Sequence, residues 1–252
     1  MEEHLILKGL NEKQREAVTT IDGSVLVISG PGSGKTRCLT HRVAWMISKG
    51  IEPAHILAIT FTNRAAGEMR ERIQKLLKIG NCRKDLPKGE KLKIASGKSE
   101  TLPTIGTFHA IGLRILRKEI HHLGYASNFN ICDADDQLSL MKRIMGNLEI
   151  DPKRYNPRTM LNKISKLKTE LIWPDDYAPH EYMEKLIAKL YGHYQNGLKE
   201  MNALDFDDLI VLTVKIFKQY PEVLAKYHDW WKYIMVDEYQ DTSHDQYQFV
   251  QL

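Results

Sequence analysis

The sequence predicts an α/β fold, a parallel sheet core interrupted by an inserted, mainly helical subdomain, and three observations carry that expectation. Four short apolar runs have the length and continuity of strands buried on both faces. Amphipathic helical patterns follow the first two of them. Residues 109 to about 228 then hold several helical patterns and almost no strand signal. The expected division is 1–108 and 203–252 for the sheet core, incomplete at its C-terminal side, with 109–202 as the insertion.

The four runs are Ser24–Ile28, Ile56–Thr60, Thr104–Thr107 and Tyr233–Val236. After the first, Leu39, Val43, Met46 and Ile47 recur at helical spacing, and Gly50 stands where a helix C-cap would. After the second, Ala66, Met69, Ile73 and Leu76 repeat the pattern, with Glu68 and Arg72 one turn apart. Residues 80–103 read as a long polar loop. Beyond it, Asn156-Pro157 reads as an N-cap with proline at the first helical position. Met160, Ile164, Leu167 and Leu171 mark one apolar stripe; Tyr182, Leu186, Leu190 and Tyr194 mark another.

With 252 residues, 42% of them hydrophobic and 27% charged, the composition is that of a globular chain with one large domain or two modest ones. No apolar run approaches the ~20 residues that span a bilayer. Met1-Glu2-Glu3-His4 lacks the basic-then-apolar start of a secretory signal. Cys38, Cys82 and Cys132 have no paired spacing, so free thiols in the cytoplasm and no membrane partner are expected. Net charge is only +4, but it is unevenly spread. Eight Lys/Arg face three acids from Lys142 to Glu170, and six face three from Arg83 to Glu100, as phosphate-backbone contacts or as solvated helix faces. From Asp229 to Asp245 five acids face one lysine, a balance that suits a metal.

Ser29-Gly30-Pro31-Gly32-Ser33-Gly34-Lys35-Thr36 directly follows the first apolar run and opens the first helical pattern. Glycines let successive N–H groups curl toward one anion, and the helix N-terminus adds a favourable dipole. Lys35 can reach the β- and γ-phosphates of a nucleotide, and Thr36 can ligate Mg²⁺. This is the P-loop pattern with Ser29 in place of its first glycine. The last apolar run leads into Asp237-Glu238. A carboxylate at a strand's C-terminal end can hold Mg²⁺, and its neighbour can orient an attacking water, so Asp237 is assigned to the metal and Glu238 to the catalytic base. About two hundred residues separate Lys35 from Asp237, room for an inserted subdomain.

On these residues the chain resembles UvrD/Rep-type superfamily 1 DNA helicases over essentially its whole length, specifically their first motor domain with its P-loop (RecA-like) core and helical insertion. Leu10-Asn11-Glu12-Lys13-Gln14-Arg15-Glu16-Ala17 resembles the family's Q motif, which implies that Gln14 reads the adenine edge. The resemblance places Gln14, Ser29–Arg37 and Lys35 in the nucleotide site. Phe61-Thr62-Asn63-Arg64 is similar to a motif touching single-stranded DNA, with Arg64 where relatives commonly have Lys. Thr107-Phe108-His109 resembles a second such motif. Phe61 or Phe108 could stack on a base or be plain core. Asp205-Phe206-Asp207-Asp208-Leu209 also matches a family signature, but no role is forced on it.

The resemblance implies ATP hydrolysis with Mg²⁺, driving 3′-to-5′ movement on single-stranded DNA and at duplex junctions. It also implies a second motor domain of the same parent chain, which supplies an arginine to the reaction. The last helical pattern stops after about two turns with Phe249, Val250 and Leu252 unsupported, so a reading frame continuing past Leu252 is expected. Two alternatives remain open: a nucleotide- and DNA-binding module with negligible turnover, and a small-molecule kinase, for which nothing beyond the P-loop argues.

Overall fold

The computed structural model describes residues 3–30, 32–77 and 102–252. Pro31, Cys82, the basic stretch 83–100 and nearly all of the expected polar loop lie outside the described residues. By packing, the chain falls into two compact units, residues 1–107 with 226–240, and residues 108–225 with 241–252. The first is smaller than the expected core of 1–108 and 203–252. The second is larger than the expected insertion, taking in residues 203–225 and 241–252 as well.

The first unit opens with helices α1 (Glu3–Leu7), α2 (Glu12–Thr19) and α3 (Lys35–Ser48). Strand β1 (Ile56–Thr60), helix α4 (Asn63–Leu76), strand β2 (Thr104–Thr107) and strand β5 (Tyr233–Val236) complete it, with the second half of α10 (Pro221–Trp230). The sheet is parallel, in the order β2-β1-β5. Leu57 pairs with Thr104 on one side, and Ile56 pairs with Tyr233 on the other. All five residues of β1 are buried, as a central parallel strand covered on both faces requires. Ala58, Ile105 and Met235 pack with Val43 and Met46 of α3 and with Met69 and Ile73 of α4. Each large apolar side chain so enclosed contributes roughly 1.5–3 kcal/mol.

The run Ser24–Ile28 departs from its expected buried strand. It forms no strand, and Leu26 and Ile28 are 71% and 86% exposed. A strand needs ladder partners and covering elements, not only apolar residues. Among the described residues, nothing pairs with β5 on the side away from β1.

Helix α3 organises the N-terminal segment through its polar side chains. The His41 ring donates from Nδ1 to the Ile6 carbonyl at 2.5 Å, and burial lowers its pKa so that it stays neutral. Arg42 donates to the carbonyls of Ala17 (2.7 Å), Thr20 and Ile21 (3.3 Å), where α2 ends. A cation is favoured at this end of a helix, where carbonyls lack intrahelical partners. Past the end of α3, Gly50 takes φ +94 as its cap, as its position in the sequence predicts.

The second unit holds α5 (Phe108–Glu119), α6 (Ala134–Asn147), α7 (Pro157–Thr169) and α8 (Tyr182–Glu200). It also holds α9 (Asp208–Gln219), the first half of α10, α11 (His244–Gln251) and a two-residue parallel pair, β3 (Asn130–Ile131) with β4 (Ala203–Leu204). Asn156 caps α7 by accepting from the Arg158 and Thr159 N–H groups, with Pro157 at the first position as predicted. Met160 and Ile164 meet Leu190 and Tyr194 in one core, while Tyr182, expected in the α8 stripe, is 71% exposed.

Residues 203–225 and 241–252 join the helical unit because α9 is buried nearly all round. Gly112 lets α5 press directly on the α9 backbone: a Cβ there would lie 2.2 Å from the Leu209 carbonyl oxygen. Phe249 of α11 packs edge-on against Phe108 and also against Phe217. The apolar face expected to be unsupported thus has, at Phe249, a partner within the chain. A capping box at Ser243 and Gln246 opens the same helix.

Candidate functional site

The glycine-rich loop lies between the unpaired run 24–28 and the first turn of α3. Gly32 and Gly34 take φ +73 and +90, left-handed values that carry little steric cost only in glycine. Gly34 is the N-cap of α3 and supplies no side-chain acceptor, so the helix's leading N–H groups face outward, as anion binding requires. Ser33 Oγ closes the loop through Ser29 Oγ (2.8 Å) and the Gly30 carbonyl (2.6 Å). Lys35 Nζ donates to the carbonyls of Ser29 and Gly30, both at 3.4 Å, which folds the ammonium over the loop. Those bonds are long and easily exchanged for phosphate oxygens.

Thr36 and Asp237, 201 positions apart, meet directly, the hydroxyl donating to the carboxylate at 3.0 Å. Asp237 reaches this point because its N–H donates to the Ile59 carbonyl, extending the β1–β5 ladder by one step. Burial raises its pKa, as does the neighbouring Glu238, while the Thr36 hydroxyl bond lowers it. A buried carboxylate held above its usual range beside a hydroxyl fits a hard divalent cation, which would relieve that cost. Glu238 is half-buried with φ +51, and its carboxylate accepts from Gln240 Nε2 at 2.7 Å. A glutamate in this sparsely populated backbone region marks a position where aim is favoured over local comfort.

Gln14 belongs to the capping box of α2: its Oε1 accepts from the Asn11 N–H, and the Asn11 side chain accepts from the Gln14 N–H. Its Nε2 also donates to the Ser33 carbonyl at 3.0 Å, tying α2 to the loop. Arg37 is exposed and donates to the Lys8 carbonyl at 3.4 Å.

A family model described as the UvrD/REP helicase N-terminal domain matches residues 10–252. The chain belongs to this family. It is 43% identical over 250 residues to the ATP-dependent DNA helicase PcrA of Leuconostoc citreum, which covers 98% of this chain and 31% of that protein. The Bacillus subtilis (strain 168) protein of the same name is 43% identical over 97% of the chain. That of Staphylococcus aureus (strain Mu50) is 42% identical over 98%. The chain spans about a third of the length of these relatives.

In this UvrD/REP domain the residues expected to touch DNA occupy both units. Thr62 caps α4 by accepting from the Ala65 N–H, and its side chain is therefore committed to the helix. Asn63 and Arg64 are exposed, with Arg64 paired to Glu68 at 3.1 Å. Phe61 is half-buried. Thr107 is buried.

Phe108 requires a correction: it is 1% exposed and packed in the helical core, so it has no face to offer a base. The exposed aromatic in its neighbourhood is Phe206, which stands edge-on to the His109 ring at 5.9 Å. Burial lowers the His109 pKa, opposed by the charges of Asp207 and Asp245. Phe206 belongs to the Asp205–Leu209 segment, to which the sequence assigned no role. Of the basic residues from Lys142 to Lys168, Lys168 is a second correction. It is 1% exposed and bonded to carboxylates, whereas the other seven lie on the surface of the helical unit.

Among the described residues no helix is long and apolar enough to cross a membrane, and no group of three or more His, Cys, Asp or Glu side chains forms a ready metal cluster. A cation here would have to complete its shell with phosphate and water oxygens, as Mg²⁺ does.

Proposed function

We propose that this chain is the ATP-binding first motor domain of an ATP-dependent DNA helicase that moves 3′-to-5′ on single-stranded DNA and at duplex junctions. On this reading, 1–107 with 226–240 is the P-loop core, the helical unit is its insertion, and a second motor domain belongs to the same, longer protein. The observation that carries it is the meeting of Thr36 and Asp237 at the mouth of a glycine-rich loop whose helix N-terminus is uncapped. The relatives' name, ATP-dependent DNA helicase, agrees with it.

In the proposed mechanism the loop N–H groups and Lys35 bind the nucleotide's phosphates, Arg37 lies at the same helix N-terminus, and Gln14 holds the adenine edge with the amide valences its capping box leaves free. Thr36 and Asp237 would hold Mg²⁺, which neutralises phosphate charge when bound. Glu238 aligns the attacking water and takes its proton. Phe206 and His109 give the helical unit its contacts to single-stranded DNA, by stacking. Phe61, Asn63 and Arg64 give the core contacts of its own.

Mg-dependent binding of ATP or ADP follows from this arrangement. Calorimetry should show a measurable affinity for the chain and at least tenfold weaker binding for Lys35→Ala, since one charge-assisted phosphate contact is worth about 1.5–3 kcal/mol. Equal heats from both proteins would remove the loop from the nucleotide site.

The DNA face predicts sequence-tolerant binding whose affinity falls steeply with salt, because phosphate contacts release counterions. Anisotropy of a labelled oligonucleotide should show that slope, and Phe206→Ala should weaken binding about tenfold, the scale of one lost stacking contact. A salt-independent affinity, or an unchanged Phe206→Ala, would sink this face.

A further inference from the structure

The helical unit buries one lysine among acids. Lys168 of α7 is 1% exposed, and its ammonium lies 2.7 Å from Asp205 and 2.8 Å from Asp208. Both carboxylates have further partners. Asp205 accepts from Tyr194 Oη at 3.0 Å, and Asp208 accepts from Gln195 Nε2 at 3.2 Å, both donors on α8. The two acids also cap one another: the Asp208 N–H donates to Asp205 at 2.9 Å, and the Asp205 N–H donates to Asp208 at 3.2 Å. That reciprocal pair closes a tight loop at the start of α9, with two residues between its ends. They are Phe206, 54% exposed against His109, and Asp207, whose carboxylate also bonds Ser165 of α7.

A buried charge network of this kind is weak evidence for stability, because desolvating three charges offsets most of their attraction. Its geometry is what distinguishes it. One ammonium spans the two ends of a four-residue loop, and between those ends Phe206 is presented to solvent while Asp207 is held part-buried against Ser165.

We propose that Lys168 is a positioning residue for single-strand binding: by bridging Asp205 and Asp208 it fixes the loop that presents Phe206 beside His109. The bridge also makes the position of that ring depend on α7 and α8. The proposal rests on the reading of Phe206 as a DNA contact, and the test separates the two.

The probe is a labelled single-stranded oligonucleotide, with ADP binding as a control in the other unit. Burial, reinforced by the Asp205 charge, pushes Asp208 up to about 7, so Asp208→Asn closely mimics a form the side chain readily adopts. The double variant Lys168→Met/Asp208→Asn removes one positive and one negative charge, leaving the cluster's net charge unchanged. It should bind the oligonucleotide about tenfold more weakly, as if one stacking contact were lost. ADP affinity should stay within about twofold. In a Phe206→Ala background the same double variant should cost less than about twofold, because neighbours acting through one ring are not additive.

Tyr194→Phe is the gentler version, removing one hydrogen bond to Asp205 and no charge. It should weaken the oligonucleotide about two- to threefold, again only when Phe206 is present. Equal losses with and without Phe206, or no loss from either variant while Phe206→Ala is costly, would overturn the positioning role alone. A Phe206→Ala protein binding like the parent would overturn the DNA reading, and the proposal with it.

Discussion

In the full-length helicase proposed here, Glu238→Gln retains ATP binding and loses about 10²–10⁴-fold in turnover, the usual cost of removing an aligned base. The substitution keeps the volume and leaves an amide oxygen that can still accept from Gln240 Nε2, now at 2.7 Å from the carboxylate. What it removes is the capacity to take a proton. Glu238 sits one residue beyond Asp237, in a left-handed backbone conformation, and Asp237 is anchored to the sheet by the Ile59 carbonyl. The aim of the carboxylate is therefore set by the end of β5 and survives the change to glutamine. Single-turnover hydrolysis measured with nucleotide binding decides the matter. Turnover like the parent's would shift the base to another acid, Asp241 being the first to try.

Gly112→Ala should unfold the helical unit more easily than any other single methyl added in its helices. The new Cβ would lie 2.2 Å from the Leu209 carbonyl oxygen and 3.0 Å from its carbon, both backbone atoms that cannot swing aside. Thr213 Oγ1, which donates to that same carbonyl, would lie 3.4 Å away. Separating α5 from α9 to make room loosens packing along both helices. The net cost is about 1–3 kcal/mol, even after the ~1 kcal/mol that alanine gains in helix propensity. Gly146→Ala is the control: nothing lies within 4 Å of its added Cβ, so the propensity gain stands alone. Urea denaturation should place the two variants on opposite sides of the parent. A Gly112→Ala protein as stable as Gly146→Ala would refute the close approach.

The glycine-rich loop and the acidic pair were legible in the sequence because their patterns are local. Eight consecutive residues write the loop and two adjacent acids follow the last strand, so Thr36 and Asp237 were both assigned to one metal from sequence; the bond between them across 201 positions is what the fold adds. The parallel pairing of three of the four apolar runs followed from their continuity, though not their order, and Asn156-Pro157 marked the start of α7. What misled was any inference from composition that needed a partner to be true. Ser24–Ile28 reads as a buried strand, yet burial is a property of what lies against it. Lys168 belongs to a basic stretch by sequence and to an acidic cluster by packing, because the acids that claim it lie 37 and 40 positions away. Phe108 and Phe206 carry equal aromatic signals, and only the closeness of α11 and α9 decides which one is core.

The exposed stretch 25–28 governs how this chain behaves in a tube as much as how it folds. Val25, Leu26, Val27 and Ile28 are uncharged, mostly β-branched and free of proline, the composition that seeds self-association when left in water. No lysine or glutamate interrupts them to act as a gatekeeper. Self-association through these four residues is therefore the expected limit on the working concentration of the isolated chain, and a single lysine placed among them should raise it.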